Sequence, residues 1–231
     1  MLTESQLRTD IMVKGFAVRR AAVSAELLDA VRAEAIGLVD GFYAGDRSGP
    51  DYWSYPIAGR GSPVLYRIHN LERQSGITAI SGLFARGPLH GIAAEALGEP
   101  AFPTVCAGVV KVPGVGASVP WHRDRAQAEV APGRAVNLSL YLHRSTPASG
   151  CLEVVSASQT LEPGIDVESW RLGMPTTPVP AEAGDVTVHD VRLVHGSGPN
   201  PGTDLCIRIV IEFRAETLPA ALLLANAQGT Q

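Results

Sequence analysis

Short apolar runs, each ended by glycine or proline, follow one another through the second half of the chain. They predict strands at Val105–Val112, Val119–Asp124, Ala135–His143, Cys151–Val155, Val186–His189, Val191–His195 and Leu205–Phe213. Many short strands separated by turns are typical of a β-barrel or a β-sandwich.

The predicted strand Ala135–His143 alternates between apolar and polar residues. One face carries Leu138, Leu140 and Leu142, and the opposite face carries Asn137, Ser139 and Tyr141. The apolar set would ordinarily face the inside of a barrel. We expect the reverse here, because a polar ligand site needs polar walls and helices from the first half of the chain can cover the outer face.

Helical spacing of apolar residues is found mainly in the first part of the chain. Ser24 offers an N-cap for a helix at Ala25–Val39, and shorter helical pieces are predicted near Ile77–Phe84 and Leu89–Leu97. Short strands are predicted at Gly15–Val18 and Val64–Leu71. We therefore expect a single domain over residues 1–231, with a helix-rich part at about 1–100 and a strand core at about 103–214.

Two segments have no clear periodicity. Residues 44–63 are rich in aromatic residues and turn formers, so they are either a packed surface loop or a lid over a pocket. The tail Thr217–Gln231 is rich in alanine and leucine, and we expect a short helix there.

Composition and charge exclude several classes of protein. The chain of 231 residues is 45% hydrophobic and 18% charged, with a formal net charge of −4 and no basic block, which argues against nucleic-acid binding. No apolar run reaches the length of a membrane span, about 18 residues, and Met1–Arg8 lacks the apolar core of a signal peptide. The three cysteines stand far apart, as buried thiols of a reduced cytoplasm would.

Metal-binding chemistry is indicated by the stretch from Pro120 to Asp124. His122 and Asp124 are two residues apart, so on an extended strand both side chains point to the same face and can converge on one ion. With a second histidine they would make the 2-His-1-carboxylate triad that holds non-heme Fe(II) and leaves three positions open. His195 is the preferred partner, since Gly196 and Ser197 leave room for a cosubstrate, and His189 is the competing candidate.

A lone cation stands in the last predicted strand. Arg208 interrupts the apolar run Leu205–Ile211, and a guanidinium in such a strand needs an anionic partner. A dicarboxylate cosubstrate would supply one.

The ordered set of these segments resembles the phytanoyl-CoA hydroxylase-like family of Fe(II)/2-oxoglutarate-dependent dioxygenases. The matching segments are Gly15–Val18 with its helix, Lys111–Gly114 with Trp121–Asp124, Ser149–Val155, and Gly184–Asn200 with Arg208. One segment departs from the family: its turn normally reads close to Pro-Gly-Ser-His, whereas here Ser156–Gln159 reads Ser-Ala-Ser-Gln.

The resemblance implies a fold and a set of site residues. The fold would be mainly β with flanking helices, a cupin-like double-stranded β-helix or jelly roll. His122, Asp124 and His195 would bind iron, and Arg208 would pair with the distal carboxylate of 2-oxoglutarate beside Ser197. Arg67 would be a further basic contact to the cosubstrate, and the alternation in Ala135–His143 separately places Asn137 near it.

The resemblance also implies a reaction with O2 as the oxidant. 2-Oxoglutarate would be converted to succinate and CO2 while a C–H bond of a small organic molecule is oxidised, with hydroxylation favoured and a role in secondary metabolism as a hypothesis. The carboxylate of Asp124 separates the chain from related halogenases, which have a small residue there. Two alternatives remain: a noncatalytic cupin-like binding module, and a metal-dependent lyase or isomerase. Neither of these needs Arg208. We expect a cytoplasmic monomer or homodimer that binds a small molecule and neither nucleic acid nor membrane.

Overall fold

The computed structural model describes residues 5–57, 61–114, 118–124, 130–162 and 164–215. Its elements follow in the order α1 (Gln6–Lys14), β1 (Phe16–Arg19), α2 (Ala25–Ala44), β2 (Tyr52–Tyr55), β3 (Val64–Ile68), α3 (Ala79–Arg86), α4 (Leu89–Leu97), β4 (Ala101–Lys111), β5 (Val119–His122), β6 (Ala135–Tyr141), β7 (Leu152–Val154), α5 (Val167–Arg171), β8 (Thr177–Val179), β9 (Val186–Asp190), β10 (His195–Ser197) and β11 (Cys206–Ala215). The helix expected in the tail Thr217–Gln231 lies outside the described residues.

The strands form two antiparallel sheets. The large sheet has the order β1-β9-β6-β11-β4-β3-β2, and the small sheet has the order β5-β10-β7-β8. Strand β11 is central in the large sheet and pairs with β4 along its whole length and with β6 from Arg208 to Arg214. The prediction of a mainly β chain with flanking helices is confirmed.

The outer face of the large sheet holds the main hydrophobic core. Leu138 of β6 pairs with Ile211 of β11, and both are fully buried in a cluster that includes Ile11 of α1 and Leu38 of α2. Leu140 and Leu142 belong to the same cluster. The leucines of β6 therefore pack outward under the helices, as predicted, and the polar residues of β6 are left for the face that looks inward.

The helices begin and end at residues suited to those positions. Ser24 accepts a hydrogen bond from the backbone N–H of Leu27, as expected of an N-cap, and Gly45 ends α2 in the left-handed conformation at φ 84°. This helix continues five residues beyond the predicted end at Val39, through Gly41, and ends at Ala44. Within the described residues, no helix is long and apolar enough to cross a membrane.

Residues 44–63 contain a strand that the sequence did not predict. Tyr52–Tyr55 pairs with β3 as the edge of the large sheet, so this part of the segment extends the sheet. Tyr52 is buried in the core and Trp53 is 42% exposed. The interpretation of residues 52–55 as a loop is therefore wrong.

The turn that departs from the family sequence still forms. Ala157 takes the left-handed conformation, with φ 64°, that glycine adopts more easily. The Ser158 hydroxyl donates to the Val155 carbonyl at 2.6 Å and accepts from the Val194 N–H at 2.8 Å. The bond to Val155 closes the turn, and the bond from Val194 connects the turn to the chain that leads into β10.

Candidate functional site

Two histidines and one aspartate meet at the edge of the small sheet. His122 of β5 and His195 of β10 are cross-strand partners, and Asp124 lies just past the end of β5. One ligand atom from each of the three residues lies within 4.8 Å of the other two. The structure therefore brings together the three residues expected to bind iron, in a group that could hold one ion.

The position of Asp124 differs from the expected strand geometry. Strand β5 ends at His122, whereas the sequence predicted a strand through Asp124. The Asp124 N–H donates to the Val191 carbonyl at 2.9 Å, and this contact turns the carboxylate towards the histidines. Its Oδ1 lies 3.7 Å from His122 Nε2.

Both histidines of the group have one ring nitrogen held by a carbonyl. Nδ1 of His122 lies 2.7 Å from the Pro120 carbonyl, and Nδ1 of His195 lies 2.9 Å from the Leu193 carbonyl. Because a carbonyl only accepts, Nδ1 is the protonated nitrogen in each ring. When the rings are neutral, Nε2 therefore carries the lone pair that a metal ligand requires. In both rings Nε2 lies on the side of Asp124.

The protonation states at the site also suit a cation. Burial lowers the pKa of His195 well below its ordinary value, so this ring is neutral at neutral pH. Burial would raise the pKa of Asp124, but the imidazoles around it outweigh this effect and hold the pKa well below its usual range. An ionised carboxylate and a neutral imidazole are the forms that bind metal.

Two further polar groups contact Asp124 Oδ2. Asn137 of β6 donates its amide Nδ2–H to this oxygen at 2.8 Å. His189 of β9, the competing ligand candidate, places Nε2 at 3.6 Å from the same oxygen and its ring centroid at 4.5 Å from that of His195. Asn137 was expected near the cosubstrate, and the structure directs its amide nitrogen to Asp124.

Gly196 is required for a reason that the sequence did not give. A Cβ at this position would lie 3.1 Å from both the Trp121 ring and the Val119 carbonyl. Strand β5 fills the space beside Gly196, so of the two glycines in the segment Gly196-Ser197-Gly198, which was expected to leave room for a cosubstrate, only Gly198 has open space beside its α-carbon. The glycine instead lets β5 and β10 approach closely enough to align His122 with His195.

Arg123, between the two ligand candidates of β5, holds the segment in place. Its side chain is buried, and its guanidinium donates to the carbonyls of Ser158, Leu161, Glu162 and Arg192. Sequence reasoning missed this residue, because nothing in the sequence shows which carbonyls a buried arginine will meet.

A row of inward-facing residues crosses the large sheet some way from the metal group. Arg208 of β11 is opposite Tyr141 of β6 on one side and Val109 of β4 on the other, and Val109 is opposite Arg67 of β3. Directly opposed residues share a face, so Arg67, Arg208 and Tyr141 lie on the inner face of the sheet. Arg208 Nη1 is 3.4 Å from the Tyr141 hydroxyl, while its buried Nε has no hydrogen-bond partner among the described residues.

Lys111 of β4 is a second cation at this end of the interior, and its side chain is buried. It lines the same cavity as Arg208 and Tyr141, and its Nζ donates to the Gly198 carbonyl at 2.6 Å. Burial, and then the charge of Arg208, lowers the pKa of Lys111 to about 7. The sequence signal was available but not used: Lys111 ends an apolar strand, as Arg208 interrupts one.

Ser197 completes this part of the site. It follows His195 by two residues, is buried, and its hydroxyl has no hydrogen-bond partner within the described part of the chain. A buried cation, a partly buried cation and an unsatisfied hydroxyl form a site that suits an anionic ligand with several acceptor oxygens.

Comparison with known proteins places the chain among related sequences. Residues 12–210 match the family model described as Phytanoyl-CoA dioxygenase (PhyH). No curated protein matches the chain.

Three solved structures resemble the chain over most of its length. AviO1 from Streptomyces viridochromogenes Tue57 is 38% identical, with a TM-score of 0.87, and the match covers 95% of this chain and 99% of AviO1. EvdMO1 is 43% identical with a TM-score of 0.85, over 92% of this chain and 50% of EvdMO1, so this chain spans half the length of that protein. The epimerase SnoN in complex with Fe3+, alpha ketoglutarate and nogalamycin RO is 21% identical with a TM-score of 0.72, over 94% of this chain and 88% of SnoN. The predicted jelly-roll fold is confirmed.

Proposed function

We propose, because this chain belongs to the phytanoyl-CoA dioxygenase family, that it is an Fe(II)- and 2-oxoglutarate-dependent oxygenase of a small organic molecule. The family and the fold are those expected from the sequence. The observation that carries the cosubstrate is the pair of cations that face one cavity, the buried Lys111 and the partly buried Arg208.

His122, Asp124 and His195 are proposed to hold the iron. The two imidazoles present Nε2 and the carboxylate is ionised, so the donor set fits a divalent first-row metal and leaves positions open. When bound, iron supplies the oxidative chemistry, in which O2 converts 2-oxoglutarate to succinate and CO2 and a substrate C–H bond is oxidised.

Arg208 is proposed to hold the far carboxylate of 2-oxoglutarate. Its Nε–H and a terminal N–H can bind the two carboxylate oxygens as a fork, and Ser197 can donate a hydroxyl nearby. Arg67 faces the same interior from β3 and adds positive charge to the approach. Asn137 acts through Asp124, which it contacts directly.

Hydroxylation of the substrate is the reaction we propose. SnoN is described as an epimerase, so the assay must separate the two outcomes. With 18O-labelled O2, a hydroxylation places label in the organic product, whereas an epimerisation leaves the product mass unchanged.

The primary test is release of succinate from 2-oxoglutarate by protein supplied with Fe(II), ascorbate and O2. We expect succinate well above a protein-free control, and loss of most of it at low 2-oxoglutarate in Arg208→Ala. Arg19→Ala is the matched control, because Arg19 lies on the edge strand β1 and pairs with Glu95 of α4. Iron-loaded protein that neither binds 2-oxoglutarate nor forms succinate would instead favour the binding module, or the lyase or isomerase.

A further inference from the structure

The carboxylate of Asp124 is contacted by a cross-strand pair from the opposite sheet. Asn137 of β6 and His189 of β9 are directly opposed in the large sheet, and both side chains reach Asp124 Oδ2. Asp124 itself follows β5 of the small sheet. Asn137 therefore holds, from one sheet, a group that the other sheet supplies, and His189 lies beside the same oxygen.

His189 is an unusual histidine in the described part of the chain. It is 3% exposed, and neither ring nitrogen has a hydrogen-bond partner among the described residues. A buried polar group without a partner is costly, and few such groups survive in native proteins without a role. The Nε2–Oδ2 distance of 3.6 Å is slightly longer than a hydrogen bond.

We propose that His189 is a positioning residue for the metal ligand Asp124, an inference that rests on the proposed function. In the metal-loaded protein its Nε2–H donates to Oδ2, beside the amide of Asn137. The two donors occupy Oδ2 and leave Oδ1, which faces His122, for the ion.

The contacts to Oδ2 determine how many carboxylate oxygens of Asp124 can bind the ion. A carboxylate free to turn can bind an ion through both oxygens and so fill a position that the cosubstrate needs. With Oδ2 held by Asn137 and His189, Asp124 contributes one oxygen. Partners that orient a metal ligand in this way typically change metal affinity by about 10–100-fold.

The test measures binding of Co(II), a stand-in for Fe(II), by titration calorimetry of the metal-free full chain. We expect His189→Leu to weaken Co(II) binding by about 10–100-fold. His189→Gln retains an N–H that can reach Oδ2, so it should recover a substantial part of the affinity. Thr187→Val is the matched control: Thr187 lies on the same strand and inner face, is equally buried and also lacks a hydroxyl partner among the described residues.

Thermal unfolding of the metal-free proteins separates positioning from a packing role. Replacing an unsatisfied imidazole by leucine should leave the metal-free Tm unchanged or raise it, because no hydrogen bond is lost. A His189→Leu protein that binds Co(II) as tightly as the parent, or a Gln variant as weak as the Leu variant, would overturn the proposal. So would a parent chain that binds no Co(II).

Titration of 2-oxoglutarate into the Co(II)-loaded parent tests the proposed function independently of the role of His189. Absence of 2-oxoglutarate binding, with the expected order of Co(II) affinities, would contradict the oxygenase function and leave the role of His189 standing. Normal 2-oxoglutarate binding and succinate formation, with unchanged Co(II) affinity in His189→Leu, would remove the role of His189 alone.

Discussion

The two ends of the interior are built in opposite ways. At the metal end, His122, Asp124 and His195 contact one another, and opposite charges or dipoles face each other: a carboxylate, three imidazoles and an amide. At the anion end, Lys111 and Arg208 place two cations in one cavity beside donors that the described residues leave unsatisfied.

This difference corresponds to the lifetime of the ligand at each end. A metal ion stays through many reaction cycles, so its ligands can be held in position by hydrogen bonds to the protein. On the proposed function the cosubstrate is consumed in every cycle, and the anion end would supply positive charge that an incoming dicarboxylate compensates. Four predictions test the comparison, in order of decreasing expected effect.

Loss of any one of the three metal-ligand residues should strongly weaken metal binding and abolish turnover. His122→Ala, Asp124→Ala and His195→Ala should each lower metal affinity by more than the roughly 100-fold expected for an outer contact, and abolish turnover. Iron content after desalting and far-ultraviolet circular dichroism would show loss of metal with the fold retained. If His195→Ala kept full iron and activity while His189→Ala lost both, the choice of ligand would be wrong.

Substitution of Arg208 should weaken 2-oxoglutarate binding in a graded way and leave metal binding unchanged. A buried carboxylate deprived of its partner loses on the order of 2–5 kcal/mol, so Arg208→Ala should raise the 2-oxoglutarate KM by about 100-fold, at about 1.4 kcal/mol per tenfold. Arg208→Lys should recover part of this, since an ammonium lacks the fork. Steady-state succinate formation measures both variants. An unchanged KM in Arg208→Ala would point to Arg67 as the anchor and weaken the oxygenase assignment.

Lys111 should make cosubstrate binding depend on pH. Its pKa of about 7 means that it is charged below pH 7 and neutral above it in the free protein. A bound carboxylate raises this pKa, so above pH 7 binding takes up a proton and affinity falls with rising pH. The fall is at most about tenfold per pH unit for one proton.

Calorimetry of 2-oxoglutarate binding to Co(II)-loaded protein between pH 7 and 9 measures this dependence. Lys111→Met should bind more weakly at pH 7 and show little change up to pH 9. The groups that act on Lys111 besides Arg208 are Cys151 and Cys206, so Cys206→Ser serves as a control for titration of the nearest strand neighbour. A pH slope that persists in Lys111→Met would contradict the assignment.

Tyr141 should have the smallest effect of the four. Its hydroxyl lies 3.4 Å from Arg208 Nη1 and helps to orient the guanidinium. Tyr141→Phe removes one hydrogen bond worth about 0.5–1.5 kcal/mol, so the 2-oxoglutarate KM should rise by about 2- to 10-fold. The kcat should stay within twofold of the parent, and a change as large as that of Arg208→Ala would mean that Tyr141 contacts the ligand itself.

Sequence patterns predicted the sheets better than the elements that surround them. Strand β6 follows from its alternation and β11 from its apolar run, and the outward direction of Leu138 and Leu140 followed from the alternation once helices were assigned to the outer face. Helix α1 was missed because only Leu7 and Ile11 are buried along it. Strand β2 was missed because Pro50, Gly49 and neighbouring polar residues read as a loop, and only pairing with β3 makes it a strand.

At the site, the sequence predicted residue types that carry their own chemistry and missed those whose role depends on contact. Spacing singled out His122, Asp124 and His195, which the structure brings together, and charge in an apolar run singled out Arg208, whose role stays a prediction. The contacts of Arg123 and His189 are with carbonyls and a carboxylate brought near by other segments of the chain. No local pattern shows which of these contacts will form.

Arg208 and the metal group belong to different sheets, so ligands would join the two layers mechanically. The iron would be held from β5 and β10 of the small sheet, and the far end of 2-oxoglutarate from β11 of the large sheet. Iron and 2-oxoglutarate bound together would then link the two sheets, and neither ligand alone would reach both. Amide hydrogen exchange in the short strands β5 and β10 should therefore slow most when both are bound, because local opening of the small sheet would first have to release them.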